Sequence, residues 1–173
     1  MELQTLRDLY VAELKDLYGA ERQLIKALPR MADNATNSDL KEALNMHLEQ
    51  TKEHALRLES ILQSLDVTLD GKRCAGMAGL IEEADELLQQ QPSEGVLDAG
   101  LIAKAQRIEH YEMAGYGTVR SYALVLGEDD HAAILQQTLD DAVRTDKVLT
   151  LLAESSINAD TSLGQAARDA AAD

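Results

Sequence analysis

Apolar residues recur at spacings of three and four along most of the chain, and the rhythm resolves into four long stripes. The first stripe, Leu3, Leu6, Tyr10, Leu14, Leu17, Leu24, Leu28 and Met31, predicts a helix over about residues 2 to 33. Pro29 is expected to kink or end its last turn, because proline lacks the amide hydrogen needed there. A short turn at Asn34 to Ser38 follows, with Asn37 or Ser38 as the N-cap of a second helix. That helix carries Leu40, Leu44, Leu48, Ala55, Leu58, Leu62 and Leu65, and so short a connection makes the two helices antiparallel neighbours.

The segment from about residue 66 to 96 reads as a crossover with its own short helix at roughly 75 to 91. A third long helix spans about Glu94 to Leu126, with Leu101, Ala105, Ile108, Tyr116, Val119, Ala123 and Leu126 on its seam. Gly115 and Gly117 interrupt it at about 1 kcal/mol each, which close packing or a local bulge has to offset. Gly127 closes this helix, and Asp129 or Asp130 is the expected cap of the fourth. The fourth stripe is Leu135, Leu139, Ala142, Leu149 and Ala153, fading near Ser156. Residues 1 to 157 thus read as one helical bundle, and the Ala-rich segment 158 to 173 as a frayed, flexible tail.

Polar side chains break all four stripes. Glu21 stands where the first helix calls for Leu. His47, Thr51 and His54 share the core line of the second, with Gln50 beside them. Glu112 lies on the third seam with Glu109 one turn earlier, and Asp146 lies on the fourth with Asp141 nearby. A seam glutamate alone is ordinarily salt-bridged or snorkelling, and a seam histidine alone is ordinarily a hydrogen-bonded core residue. Four helices each carrying such a group are different, because a buried carboxylate without a partner costs several kcal/mol or takes up a proton. Counting outward from the two short turns places Glu21, the His47 to His54 turns, Glu112 and Asp146 near mid-bundle. A shared cation cluster explains that coincidence; a buried polar network that fixes helix register is the bland alternative.

Composition narrows the picture. Phe and Trp are absent and only five Tyr occur, so an Ala- and Leu-rich core suits closely packed helices better than strands. A formal charge of −15 repels nucleic-acid phosphates and anionic membrane surfaces, which argues against binding either. No run approaches the roughly 20 apolar residues that span a bilayer, and no signal-peptide pattern opens the chain, so the expected compartment is the cytoplasm. Cys74, the single cysteine, has no neighbouring Cys or His spacing and reads as neither a nucleophile nor a zinc ligand. Glu128-Asp129-Asp130-His131 sits at a turn and reads as a helix cap, and Glu82-Glu83 as a solvated face.

Several segments carry a family resemblance: Ala20-Glu21-Arg22-Gln23-Leu24, His47-Leu48-Glu49-Gln50-Thr51, the run from Cys74-Ala75-Gly76-Met77 to Glu83, Glu109-His110-Tyr111-Glu112, Tyr116-Gly117-Thr118 and Thr145-Asp146. Through them the chain resembles the bacterial YciE/YciF ferritin-like stress proteins over about residues 1 to 155. The resemblance implies an all-α, ferritin-like four-helix bundle with a long crossover between the second and third helices, commonly dimeric, with a dinuclear iron site and a stress-associated role. The usual ferritin-like site takes one Glu from each of two helices and Glu-x-x-His from each of the others, and neither the second nor the fourth helix has that motif in its seam. Family members often carry Glu at position 50 and an acid at position 142, where this chain has Gln50 and Ala142. His54 is then the compensating ligand, and Asp146 a ligand acting through water.

The expected metal set is Glu21, Glu109, Glu112 and Asp146 with a histidine from either His47 or His54 and Gln50 beside them, and Glu112 is the bridge. Oxygen and imidazole donors suit a pair of iron ions, with manganese as the alternative. Oxidation of Fe(II) or consumption of peroxide, with O₂ or peroxide as the small oxidant, is the expected chemistry. The rival expectation is a metal-independent, homodimeric stress-associated interaction protein whose polar core is structural.

Overall fold

The computed structural model describes residues 3–69, 72–159 and 161–162. Among them the chain is entirely helical: α1 Leu6–Asn34, α2 Ser38–Ser64, α3 Ala75–Gln89, α4 Glu94–Leu126 and α5 Asp129–Leu152, then a π-helical turn at Ala153–Ile157. No described helix is long and apolar enough to cross a membrane.

Local chemistry accounts for most of the boundaries. Thr5 and Asp8 form a reciprocal capping box that starts α1, and the Asn37 side chain accepts from the Asp39 and Leu40 amides to start α2. Gly127, at φ 75°, closes α4 in the left-handed conformation. One expectation resolves and another needs correction. Of the two outcomes expected at Pro29, a kink or an end, the end does not occur: α1 continues through the exposed Pro29 to Asn34, close to the expected limit at 33. The N-cap of α5 is Glu128, which makes no side-chain cap, and Asp129 and Asp130 occupy the first turn, where their charge favours the helix dipole.

Helices α1 and α2 form one hairpin and α4 and α5 the other, with α1 beside α4 and α2 beside α5. The turn between α1 and α2 is fastened to the start of α4: the Thr36 amide and hydroxyl and the Asn37 amide donate to the Asp98 carboxylate at 2.6 to 2.9 Å. At the far end, Tyr10 of α1 and Ser64 of α2 both reach His131 at the start of α5. The two short turns therefore lie at opposite ends, and the α2-to-α4 connection crosses the length of the bundle, as in ferritin-like folds. Its helix α3 packs on α1 and α4.

The core is divided. Leu24, Leu28, Met31, Leu44, Leu101, Ile108 and Leu149 belong to one apolar cluster, and Tyr10, Leu14, Leu58, Leu62, Tyr116, Val119 and Leu135 to another. Glu21, His47, Thr51, His54, Glu109 and Glu112 are buried in neither of them. Their positions along the helices fall between the two clusters, which makes them a polar layer across the middle.

Ile157 is buried, and the Thr161 hydroxyl donates to its carbonyl at 2.7 Å. Residue 160 and residues 163 to 173, most of the expected tail, lie outside the described residues.

Candidate metal centre

Helix α1 contributes Glu21, α2 contributes His47 and His54 two turns apart, and α4 contributes Glu109 and Glu112 at a spacing of three. Each falls on the seam because the three-four periodicity of its helix runs through it. Glu109 and Glu112 are 0% exposed and Glu21 is 1% exposed, so water does not solvate these carboxylates.

The five side chains form two groups. Ligand atoms of Glu21, His54 and Glu112 lie within 4.8 Å of one another, and so do those of His47, Glu109 and Glu112. Glu112 belongs to both. Buried His and Glu groups arranged in this way could hold metal ions. The donor set passes a further test. Both oxygens of Glu109 and of Glu112, one oxygen of Glu21 and both ring nitrogens of His47 and His54 are buried without a hydrogen-bond partner among the described residues. Native interiors rarely leave so many polar atoms unsatisfied at one place. His47 Nε2 stands 3.0 Å from Glu109 Oε1, yet the contact lacks the geometry of a hydrogen bond. Two ligands at right angles on one ion, each at about 2.1 Å, would be about 3 Å apart.

Electrostatics point the same way. Burial pushes the Glu21 carboxyl up to about 8, with the Tyr116 hydrogen bond opposing and the Glu109 charge adding to the rise. Burial, followed by the charges of Glu21 and Glu109, holds Glu112 well above the usual carboxylate range. Burial, followed by Arg57, drives His54 down to about 4, so its ring is neutral and able to donate a lone pair. Without metal, Glu21 and Glu112 thus favour the protonated form and His54 the neutral one, and a cation would displace the carboxyl protons.

Outer groups orient this set. The Tyr116 hydroxyl donates to Glu21 Oε1 at 2.5 Å, which leaves the other Glu21 oxygen unpartnered. His54 Nε2 faces Asp141 Oδ2 at 3.4 Å, and Arg57 donates to that same oxygen at 2.7 Å. Burial opposes ionisation of Asp141, but Arg57 outweighs it and holds the carboxyl below its ordinary value. His54 Nδ1 then lies on the Glu21 side, 3.8 Å from Glu21 Oε1.

Two of the residues expected at the centre belong to neither group. Asp146 accepts from Gln106 Nε2 at 3.0 Å and approaches the exposed His110. The Gln50 amide oxygen accepts from the Thr145 hydroxyl at 2.9 Å. The buried line of α5 is Leu135, Thr138, Ala142, Thr145 and Leu149, one position away from the line through Leu139 and Asp146. Helix α5 therefore contributes Asp141 beside His54 rather than a member of either group. Tyr116 reads in the sequence only as an apolar seam residue; its place one turn after Glu112 is the signal that could have marked it as a partner of the layer.

The remaining candidates behave as caps and structural contacts. Cys74 caps α3, and its sulfur lies 3.0 Å from both Asp16 and the Tyr111 hydroxyl. Glu83 pairs with Lys104 and Arg107 on the surface.

A family model described as "Domain of unknown function (DUF892)" matches residues 5–162. Protein YciF of Escherichia coli strain K12 is 38% identical over 159 residues, covering 91% of this chain and 96% of YciF. The crystal structure of the E. coli stress protein YciF superposes with a TM-score of 0.86, covering 90% of this chain and 99% of that one. YcfI from Rhodopseudomonas palustris, a proposed structural protein, is 40% identical with a TM-score of 0.83, covering 86% of this chain and 95% of that one. A Xanthomonas campestris protein at 19% identity and a TM-score of 0.74, covering 93% and 99%, shares the fold.

Proposed function

We propose, since the chain belongs to the DUF892 family with the stress protein YciF, that its polar layer holds two Fe(II) or Mn(II) ions for a protective reaction with O₂ or peroxide. The observation that carries this reading is the pair of three-residue groups sharing Glu112, with nine buried ligand atoms left unpartnered among the described residues. Glu21, His54 and Glu112 would hold one ion, and His47, Glu109 and Glu112 the other. Three carboxylates come close to neutralising two divalent cations, which resolves the cost of burying them. The absence of a thiolate from the set favours iron or manganese over softer metals.

A bound pair of such ions would supply neighbouring redox-active centres able to pass electrons to a small oxidant. The chain's own residues set the conditions. Burial of the layer between two apolar clusters keeps bulk water from the ligands. Tyr116 holds one Glu21 oxygen, and Asp141 stands 3.4 Å from the outer nitrogen of His54. Gln50 and Asp146 receive no ligand role in this reading, since neither belongs to the two groups; Gln50 Oε1 accepts from Thr145 and Asp146 Oδ1 from Gln106. A homodimer in the cytoplasm remains the proposed setting.

The test is anaerobic titration of the chelator-stripped chain with Fe(II) or Mn(II), followed by calorimetry and melting temperature. Saturation near two ions per chain with a rise in melting temperature is expected, because a ligand of the native state must stabilise it. Glu112→Ala should abolish the rise, while Asp146→Ala leaves the stoichiometry unchanged. If metal does not stabilise the chain and Glu112→Ala makes no difference, the polar layer is structural and the interaction-protein reading takes its place.

A further inference from the structure

Gly19 lies under the crossover: a Cβ built there would stand 2.0 Å from the Lys72 carbonyl oxygen. Only glycine lets the backbone of the connection rest so closely on α1. The contact lays Lys72 and Arg73 against the face of α1 that carries Arg22, Gln23 and Lys26, at spacings of three, four and seven from Gly19. Between them is a cleft of about 240 Å³ lined by Gly19, Arg22, Gln23, Lys26, Lys72 and Arg73.

Four of these six residues are cationic and none is acidic, in a chain with 16 Lys and Arg among 173 residues and a net charge of −15. The Lys26, Lys72 and Arg73 side chains form no ion pair or hydrogen bond among the described residues. Arg22 lies over the Tyr18 ring at 5.7 Å. Several other cations find carboxylates: Arg30 meets Asp85, Arg57 meets Asp141, and Lys104 and Arg107 meet Glu83. Helix α3, with no acidic residue in its first turn, starts two residues after Arg73. Its positive end adds to the same field. The Gln23 amide donates to the Cys74 carbonyl and ties the cleft to that helix start.

We propose that this cleft binds a compact polyanion carrying phosphate groups. Like charges gathered in a cleft with no acid in its own lining repel one another, although Glu82, Asp85 and Glu86 line the adjoining cavity with Lys26 and Arg73, and a multivalent anion turns that repulsion into binding energy. Two guanidinium groups can grip phosphate oxygens in bidentate fashion, which favours phosphate over a simple halide. The volume falls below the roughly 300–1,000 Å³ of drug-sized ligand sites, so the occupant is small. The site lies outside the polar layer and does not rest on metal binding.

Titration calorimetry of the metal-free full chain with inorganic pyrophosphate, at ionic strength held constant with potassium chloride, tests the proposal. Saturable binding to one site is expected. Arg73→Ala and Lys26→Ala should each weaken it about tenfold, the loss of a charge-assisted hydrogen bond. Arg107→Ala, outside the cleft lining and paired with Glu83, should leave it unchanged. Absence of saturable heat, or equal weakening by all three substitutions, would overturn the proposal. Repeating the titration with inorganic phosphate and with a nucleoside diphosphate distinguishes a free anion from the phosphate end of a larger molecule.

Discussion

The Tyr116 hydroxyl donates to Glu21 Oε1 at 2.5 Å across the interface of α1 and α4, both residues fully buried. The bond opposes the burial that raises the Glu21 carboxyl, and it leaves the second oxygen of Glu21 facing the unpartnered layer. Tyr116→Phe removes the phenol while keeping the ring that packs edge-on against His54. Mn(II) affinity should fall about 10- to 100-fold, as for other lost partners of metal ligands. Competitive titration against a metal-binding dye checks it, and an unchanged affinity would count against Glu21 as a ligand.

Without metal, the buried carboxyls are a stability cost. Glu112→Leu should stabilise the metal-free chain by about 1–3 kcal/mol, several degrees in melting temperature, while removing the stabilisation that metal brings. A variant that melts lower than the parent in chelator would show that Glu112 contributes a native interaction of its own.

Metal-free stability should depend on pH in a specific sense. Glu21 is raised from 4.5 to about 8 on folding, so its contribution is complete below 4.5 and lost as pH rises toward 8. Glu112 shifts in the same direction. His54 is depressed from 6.5 to about 4, so its contribution is present above 6.5 and lost as pH falls toward 4. In chelator, the melting temperature should therefore rise as pH is lowered from 8 to 6.5 and flatten below that. With saturating Mn(II) the slope between 6.5 and 8 should shrink toward zero, because the ion takes the place of the carboxyl protons. Identical slopes in the two conditions would contradict proton displacement by the ion.

Two glycines should respond oppositely to alanine. Gly117, inside α4 with nothing within 4 Å of where an alanine methyl would stand, should gain about 0.5–1 kcal/mol as Ala. Gly19, also inside a helix, should lose about 1–3 kcal/mol, because its new methyl would meet the Lys72 backbone at 2.0 Å. Urea denaturation of both variants distinguishes a packing requirement from simple helix propensity.

The all-α architecture and three helix lines of the centre are legible in the sequence because the seams of α1, α2 and α4 are mostly apolar, so Glu21, His47, His54 and Glu112 stand out as interruptions. Helix α5 is harder. Its buried line passes through Thr138 and Thr145, which hydropathy scores as polar, while the adjacent line through Leu139 looks more apolar and brings Asp146 with it. Threonine can occupy the buried line because its hydroxyl bonds locally: the Thr51 hydroxyl donates to the His47 carbonyl, and the Thr145 hydroxyl shares its hydrogen between Gln50 Oε1 at 2.9 Å and the Asp141 carbonyl at 3.2 Å. The contact of Asp141 with His54 joins helices α5 and α2, and no periodicity within one helix reveals it. Both Gly115 and Gly117 are expected to mark close packing or a bulge; an added methyl at Gly115 would stand 2.7 Å from a Leu17 methyl, whereas Gly117 has no such neighbour.

The most direct measurement of the shared centre is anomalous X-ray diffraction at the iron or manganese edge from crystals of the metal-loaded chain. Two peaks are expected, one among Glu21, His54 and Glu112 and the other among His47, Glu109 and Glu112, on either side of the Glu112 carboxylate. A metal-saturated crystal with no peak in the polar layer, or with peaks only on surface carboxylates, would contradict a dinuclear centre in this bundle.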